Sequence, residues 1–337
     1  MPGRLSEVAQ KLGVSEATVS RVLNDKPGVS RATRDAVLTA LDVLGYERPT
    51  KLRGDRSRLV GLVLPELANP IFPAFAEVVG GALAQQAFTP VLCTRTAGGI
   101  TEQEYVELLL DQHVSGVIFV GGLFSERRAN HDHYWRLHEI GLPVVLINAA
   151  IETMPFARIA CDDQIASTQA LNHLSALGHQ RIGILLGPSD HVPSELKLVG
   201  AMAWAKTVGR SFDPELIVHS QYSIESGQAS SAKLLAAGAT AIMCASDMLA
   251  LGAIRAVKKA GLKVPGDVSI VGYDDSALMN ATEPPLTTVR QPIEPMGRAA
   301  VDALAQMIDG QPAQVDELLF EPELVVRGST TSCTVRG

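Results

Sequence analysis

The stretch AIMCASDMLALGAIRAVKKAGLKVPGDVSIVGYDD, residues 241–275, reads as one strand–helix–strand unit. Ala241–Ala245 and Ser269–Tyr273 are short apolar runs of strand length, and Asp247–Ala260 between them has the length and pattern of a helix. Two strands joined by a helix predict a parallel crossover. Each run ends on polar residues, Ser246-Asp247 in the first case and Asp274-Asp275 in the second.

The same alternation fills the chain from Leu59 onward. Further strands are predicted at Leu59–Leu64, Thr89–Thr94, Gly116–Val120, Val144–Asn148, Arg181–Leu186 and Leu216–His219. Helices are predicted at Pro73–Gln86, Thr101–Gln112, Ile165–Leu177, Glu195–Val208 and Gly227–Ala236. Such alternation implies doubly wound parallel α/β sheets, as one large sheet or, the expectation here, as two lobes with a cleft between them. At 337 residues the chain has room for two or three folded units.

Ligands of open α/β sheets bind beyond the carboxyl ends of the strands. Those ends carry Glu66, Asn69, Asn148, Ser246, Asp247 and Asp274. Carboxylates and amides without a metal motif suit a polyhydroxylated ligand, and Phe72 offers a face for a sugar ring. Asp247 has a second reading as the cap of the helix it opens. Phosphate-loop, dinucleotide, nucleophile-elbow and HExxH motifs are all missing from the sequence. His131 and His133 flank one aspartate but alternate in direction, which disfavours a shared metal. Gly98-Gly99 and Gly121-Gly122 follow strands and offer only weak phosphate cradles. No catalytic site, cofactor or metal is expected.

The N-terminus reads differently. Leu5, Val8, Ala9 and Leu12 recur at helical spacing until Gly13; Ser15 opens a second helix with Val19, Val22 and Leu23 on one side. A third runs from Ser30 or Thr33 to Gly45. The first two, joined tightly, form a helix-turn-helix. The outer face of the second is short-chained and polar around one long cation. Ser15, Ser20 and Asn24 suit phosphates, Arg21 a guanine edge and Glu16 a cytosine amine. The alternative is an ordinary solvated helix face.

Charge separates the two parts. Residues 1–58 hold eleven Lys/Arg and seven Asp/Glu, so the head carries +4 and the remainder −11 of the net −7. A basic head on an acidic body fits a polyanion bound at one end. Four scattered cysteines, Cys93, Cys161, Cys244 and Cys333, without a CxxC, favour a reducing cytoplasm. There is no apolar run of ~20 residues for a membrane span, and MPGRLSEVAQKLG does not read as a signal peptide.

The motif LSEVAQKLGVSEATVSRVLN with VSRATRDAVLTALDVLGY resembles, without a gap from Leu5 to Tyr46, the DNA-binding head of the lactose-repressor family of bacterial transcription regulators. The resemblance places Glu16, Ala17 and Arg21 at base-reading positions. It places Leu5, Ser15, Thr18, Ser20, Asn24, Ser30, Thr33 and Tyr46 at backbone-positioning or packing positions. GLVLPELANPIFP, LGHQRIGILLGP, ASDMLALGAIRAVKKAGLKVPGDVSIVGYDD and PPLTTVRQPIEPMGRAAVD resemble the effector core of that family. That core is similar to periplasmic sugar-binding proteins, with two lobes and three chain crossings.

The implied organisation is a head at 1–46, a hinge at 47–58 and a core at 59–337. Lobe 1 would take 59–155 and 290–320, and lobe 2 the stretches 156–289 and 321–337. Asn69, Phe72, Asn148, Lys197, Ser246, Asp274 and Gln291 match effector-contacting positions. Lys197 stands where the family often has arginine, a point charge in place of a planar fork, which favours a neutral sugar. The short hinge and Lys-x-x-Gly most resemble actinobacterial regulators of maltose and maltodextrin use. The resemblance implies a homodimeric repressor on a pseudo-palindromic operator, controlled by a small sugar. A transport sugar-binding protein, an enzyme and a regulator using a non-sugar corepressor are the rival readings.

The hinge ERPTKLRGDRSR, residues 47–58, is three residues shorter than the family's usual one. Leu52 matches the leucine that wedges into the minor groove, and Arg53 follows it. Gly54 and the short length disfavour a stable helix, so the segment is expected to be disordered without operator and at most one or two turns with it. Its five cations, Arg48, Lys51, Arg53, Arg56 and Arg58, are expected to face phosphate and to set salt dependence. Replacing Arg21 with alanine should cost about 1–3 kcal/mol of operator affinity and relax specificity at one base pair. A salt-controlled gel-shift titration measures both.

Overall fold

The computed structural model describes residues 3–23, 26, 28–43, 58–95, 98–149, 153–312 and 317–333. The chain divides into two units, Met1–Arg58 and Leu59–Gly337. In the first, α1 (Gly3–Leu12), α2 (Glu16–Leu23) and α3 (Arg31–Val43) surround a core of Val8, Ala9, Val19, Val22, Val37 and Ala40. Gly13 turns the chain between α1 and α2 at φ +65°, a conformation glycine adopts without strain. Ser15 Oγ accepts the Thr18 amide at 3.1 Å, and Ser30 Oγ accepts the Thr33 amide at 3.1 Å. The two serines therefore cap α2 and α3, as the spacing predicts.

The second unit holds two six-stranded sheets. The first has the order β11-β5-β4-β3-β1-β2, from β1 (Leu59–Leu64), β2 (Thr89–Thr94), β3 (Gly116–Val120), β4 (Val144–Ile147), β5 (Ala157–Cys161) and β11 (Glu317–Phe320). The second has the order β12-β10-β9-β8-β6-β7, from β6 (Ile182–Leu186), β7 (Ile217–His219), β8 (Ala241–Cys244), β9 (Ser269–Asp274), β10 (Thr287–Arg290) and β12 (Glu323–Val325). Neighbouring strands pair in parallel except β10 with β12.

Strand position explains composition. β1 lies inside its sheet with helices on both faces, and Val60–Leu64 is wholly buried, hence the unbroken LVGLVL. β2 is an edge strand, where Pro90 costs no ladder hydrogen bond.

The helices of this unit are α4 (Ile71–Gln85), α5 (Glu102–Asp111), α6 (Asp132–Glu139), α7 (Asp163–Ala176), α8 (Val192–Thr207), α9 (Ile224–Ala236), α10 (Asp247–Lys259) and α11 (Ile293–Ile308). α11 packs on α4 and on β3, β4 and β5, whereas β10 before it belongs to the other sheet. The chain thus changes sheets after Cys161, between Arg290 and Ile293, and between Phe320 and Glu323. The boundary expected at 155/156 is corrected to the end of β5. ARIAC alternates buried and half-buried positions around Arg158, which pairs with Glu317 at 3.5 Å, so it lacks the apolar run that marks an inner strand.

Second-lobe helices meet backbone to backbone. A Cβ at Gly252 on α10 would lie 2.6 Å from the Gln228 amide nitrogen of α9 and against the Ile224 carbonyl. Gly252→Ala should therefore destabilise the fold by about 1–3 kcal/mol through overpacking. Gly266→Ala, whose Cβ would have Lys263 Cβ at 3.6 Å as its nearest neighbour, should stay within about 0.5 kcal/mol of wild type. Urea unfolding compares the two.

Candidate functional site

The carboxyl ends of the two sheets open onto one cleft of about 1120 Å³. Asn69 and Phe72 reach it after β1, Arg95 after β2, Gly121 and Gly122 after β3, and Asn148 after β4. From the other sheet come Ser246 after β8, Asp274 at the end of β9 and Gln291 after β10, with Lys197 from α8. Seven residues that the sequence brings forward as effector contacts therefore line one cavity: Asn69, Phe72, Asn148, Lys197, Ser246, Asp274 and Gln291. Two of them, Asn148 and Asp274, hold positive φ angles of +76° and +116°. Side chains avoid that region unless surrounding structure imposes it, and such strain concentrates at ligand sites.

Asp247 does not line the cleft. It is fully buried, and its Oδ1 accepts Thr288 Oγ1 at 2.7 Å while Oδ2 accepts the Ser276 amide at 2.8 Å. Nor is it the cap of α10: Ser246 holds that position, its Oγ accepting the Leu249 amide at 3.2 Å. Both expectations for Asp247 are corrected. Its carboxylate ties β10 and the loop after β9 to the start of α10, and Gly272 is glycine because a Cβ would come 2.5 Å from Asp247 Oδ1.

Asp274 is buried beside this group. Its Oδ1 accepts Gln291 Nε2 at 2.7 Å. Burial first, and then the Asp247 charge, hold the Asp274 carboxyl well above the usual carboxylate range. Burial also pushes Asp247 up to about 6, against the hydrogen bonds from Thr288 and Ser276. A protonated Asp274 presents a donor as well as an acceptor.

The floor holds a closed ionic cluster. Lys197 Nζ lies 2.5 Å from Asp163 Oδ1 and 3.7 Å from the centroid of the Tyr273 ring, and Tyr273 donates its hydroxyl to the same Oδ1 at 3.0 Å. Both charged side chains are 5% exposed, so the lysine charge is answered within the protein. Burial raises Asp163, while Lys197 and Tyr273 oppose that rise. His191 is lowered to about 4 by burial and by Lys197, so it is neutral at pH 7.

A second buried carboxylate, Glu102, borders the cleft near Gly122. Its Oε1 accepts His133 Nε2 at 3.0 Å and the Tyr134 hydroxyl, and its Oε2 accepts the Leu123 amide at 3.3 Å. His131 turns away to the Leu123 carbonyl at 3.0 Å. Two cleft-lining atoms, Ser125 Oγ and Gln291 Oε1, are buried without a hydrogen-bond partner among the described residues. Such an atom costs about 1–3 kcal/mol, so each is an acceptor or donor held ready.

Sequence reasoning missed Asp163, Tyr273, His191, Tyr222, Glu102, Ser125, Arg95 and Glu126, all of which line the cleft. Asp163 follows β5, a strand whose pattern is weak, so its place at a strand end was not visible. Gly98-Gly99 and Gly121-Gly122 do reach the cleft, as neighbours of these groups.

In the head, Glu16, Ala17, Ser20 and Arg21 are exposed on α2, opposite buried Val19 and Val22. Leu5 lies in α1, Thr18 is half-buried, and Ser15, Thr18, Ser30 and Thr33 hold the helix starts. Asn24, Tyr46, Leu52, Arg53 and the hinge from 47 to 57 lie outside the described residues.

Comparison with known proteins agrees with this geometry. Residues 4–49 match the model for bacterial regulatory proteins of the lacI family, and residues 171–330 match a periplasmic binding protein-like domain. The transcriptional regulator reg1 of Streptomyces lividans is 52% identical over 98% of each chain. The regulator MalR of Streptomyces coelicolor is 51% identical, again over 98% of each. Among solved structures, a CelR–cellobiose complex matches with TM-score 0.73 and 33% identity, covering 96% of this chain and 99% of that one. The lac repressor dimer bound to operator and the anti-inducer ONPF matches with TM-score 0.72 and 30% identity, covering 98% and 100%.

A helix-turn-helix joined to a two-sheet ligand cleft defines a ligand-responsive DNA-binding regulator. The chain belongs to the LacI family of bacterial transcription regulators. It is a regulator and not an enzyme. No helix among the described residues is long and apolar enough to cross a membrane.

Lys197→Met leaves Asp163 buried without its counter-charge and should cost about 3–5 kcal/mol of stability. Pairing it with Asp163→Leu should restore most of that loss. Denaturant midpoints of the single and double variants, at equal m-value, measure the difference.

Proposed function

We propose that this regulator is a cytoplasmic homodimeric repressor. Its grip on a pseudo-palindromic operator is set by a neutral sugar in the cleft, maltose or a maltooligosaccharide. The observation that carries this reading is the convergence of Asn69, Asn148, Ser246, Asp274 and Gln291 around Phe72 in one cavity. Amides, a hydroxyl and a carboxyl both accept from and donate to vicinal hydroxyls, and the aromatic ring covers an apolar sugar face. The lysine charge is spent on Asp163 and is not free to favour an anionic ligand. The cellobiose complex of a relative supports a disaccharide-sized effector, and the likeness to MalR of Streptomyces coelicolor supports the maltose assignment.

DNA recognition falls to α2. Arg21 has the reach for a bidentate contact with guanine, Glu16 for cytosine N4, and Ala17 for a thymine methyl. Two heads on one dimer would read two half-sites one helical turn or a multiple of it apart. A sugar touching residues from both sheets changes their relative free energy in two arrangements. Operator affinity then moves only by the ligand's differential affinity for those arrangements, and about 1.4 kcal/mol gives tenfold.

Titration of a fluorescent operator with the full chain, at fixed salt, tests the reading. Maltose or maltotriose should weaken binding at least tenfold, and Gln291→Ala should blunt that response while leaving sugar-free operator affinity intact. Tighter binding with sugar would reverse the sign to corepression. Operator affinity indifferent to both sugars would remove the effector assignment.

A further inference from the structure

Away from the three chain crossings, two loops meet across the cleft. One follows β3 and carries Glu126 and Arg127; the other follows β6 and runs through Asp190 and His191 into α8. The Arg127 amide donates to the Asp190 carbonyl at 2.9 Å, and Glu126 forms an antiparallel bridge with His191. Beside that bridge Arg127 Nε donates to Glu195 Oε2 at 2.7 Å. A main-chain bond and an ion pair thus join one lobe to the other.

Each loop is anchored within its own lobe. On the β3 side, Glu102 Oε2 accepts the Leu123 amide at 3.3 Å and Tyr134 Oη accepts the Phe124 amide at 3.0 Å. Phe124 is fully buried, edge-on to Phe119 and Tyr134. On the β6 side, His219 Nδ1 donates to the Gly187 carbonyl at 2.8 Å, and the Tyr222 and Ser194 hydroxyls lie 2.9 Å apart. The Ser194 and Glu195 amides both donate to the His191 carbonyl. Held this way, neither loop can follow the other when the lobes part, so opening must break the contacts between them. Distance from the crossings gives those contacts leverage. β6 stands three strand spacings from β10, about 14 Å at ~4.8 Å each. A rotation of about 5° about the crossings would lengthen the bonds by roughly 1 Å, beyond hydrogen-bond range.

We infer that Arg127 and Glu195, set beside the Glu126–His191 bridge, form an electrostatic latch that holds the two lobes together across the cleft. An exposed ion pair adds little to the stability of a rigid fold. Between two lobes that exchange arrangements, the same small contribution acts directly on the population of each. The latch consists of chain groups alone, so it acts whatever the effector is and whether or not the sugar reading holds. It sets the starting balance between the lobe arrangements on which a ligand then works.

Hydrogen–deuterium exchange of the full chain, without added sugar and at low salt, tests it through a double-mutant cycle. Glu195→Gln, a change in the second lobe, should speed exchange two- to fivefold in the segment around Arg127 in the first. Arg127→Met should do the same in that segment. The double variant should be no faster than either single, because the second change has no partner left to remove. Exchange in β1 and β8 and the thermal melt should match wild type in all three. Sodium chloride at about 1 M, which shortens electrostatic range to ~3 Å, should speed the wild-type segment toward the variants and leave the double variant unmoved. Singles that exchange like wild type overturn the latch. Effects that multiply in the double variant also overturn it, since the two side chains would then act separately. An acceleration that extends equally into β1 and β8 overturns it as well, by assigning the pair to general stability.

Discussion

Lys197 carries a charge into a place with almost no water, and the carboxylate of Asp163 answers it. That pair fixes more than itself. Asp163 opens α7, Lys197 belongs to α8, and Tyr273, which stacks under the ammonium and donates to the same carboxylate oxygen, belongs to β9. Three elements of the second lobe are thereby held in register at the cleft floor. The cost of desolvating two ions is offset only by close geometry and extra hydrogen bonds, and both are present. Tyr273 in turn sets the position of its neighbour Asp274, and through Gln291 that of the strand end where the chain crosses back.

The acidic side chains around the cleft divide by environment. Asp247 spends its oxygens on Thr288 and Ser276, and Glu102 on His133, Tyr134 and the Leu123 amide. Asp274 keeps one amide partner and a raised affinity for its proton. Of these three, Asp274 is the one with capacity left for a ligand. A carboxyl able to donate and accept suits hydroxyl groups, whose own donors and acceptors are interchangeable.

Much of this was legible because parallel α/β sheets write themselves plainly. Inner strands such as LVGLVL and GVIFV are continuous apolar runs, and the polar residue that ends each run must face the cleft. That rule found Asn69, Asn148, Ser246 and Asp274. It failed at Asp247, one residue past Ser246, because a helix start turns successive side chains in different directions, and only the backbone decides which faces solvent. The edge strands β11 and β12, and β5 beside β11, were silent for the opposite reason: half-covered strands carry charges such as Arg158 and Glu317, and their runs are short. Asp163 was lost with β5. Ser125 and Glu126 reach the cleft from the end of a single 3-10 turn and His191 from a loop, for which neither the period of two nor that of 3.6 gives a direction. The lysine in place of arginine was visible in the sequence; that its charge is spent internally was not, since the partner lies 34 positions away.

The glycines at helix contacts have a mechanical meaning. Gly200 presses on the Gln164 backbone, Gly227 on that of Leu249, and Gly252 on that of Gln228, so α7 meets α8 and α9 meets α10 main chain against main chain. Such contacts leave no side chain between helices to rearrange when force is applied. The second lobe is therefore a stiff lever: a displacement imposed at Asp274 or Gln291 has little internal slack in which to dissipate. It must be delivered to the short segments that leave the lobe, after Cys161, after Arg290 and after Phe320.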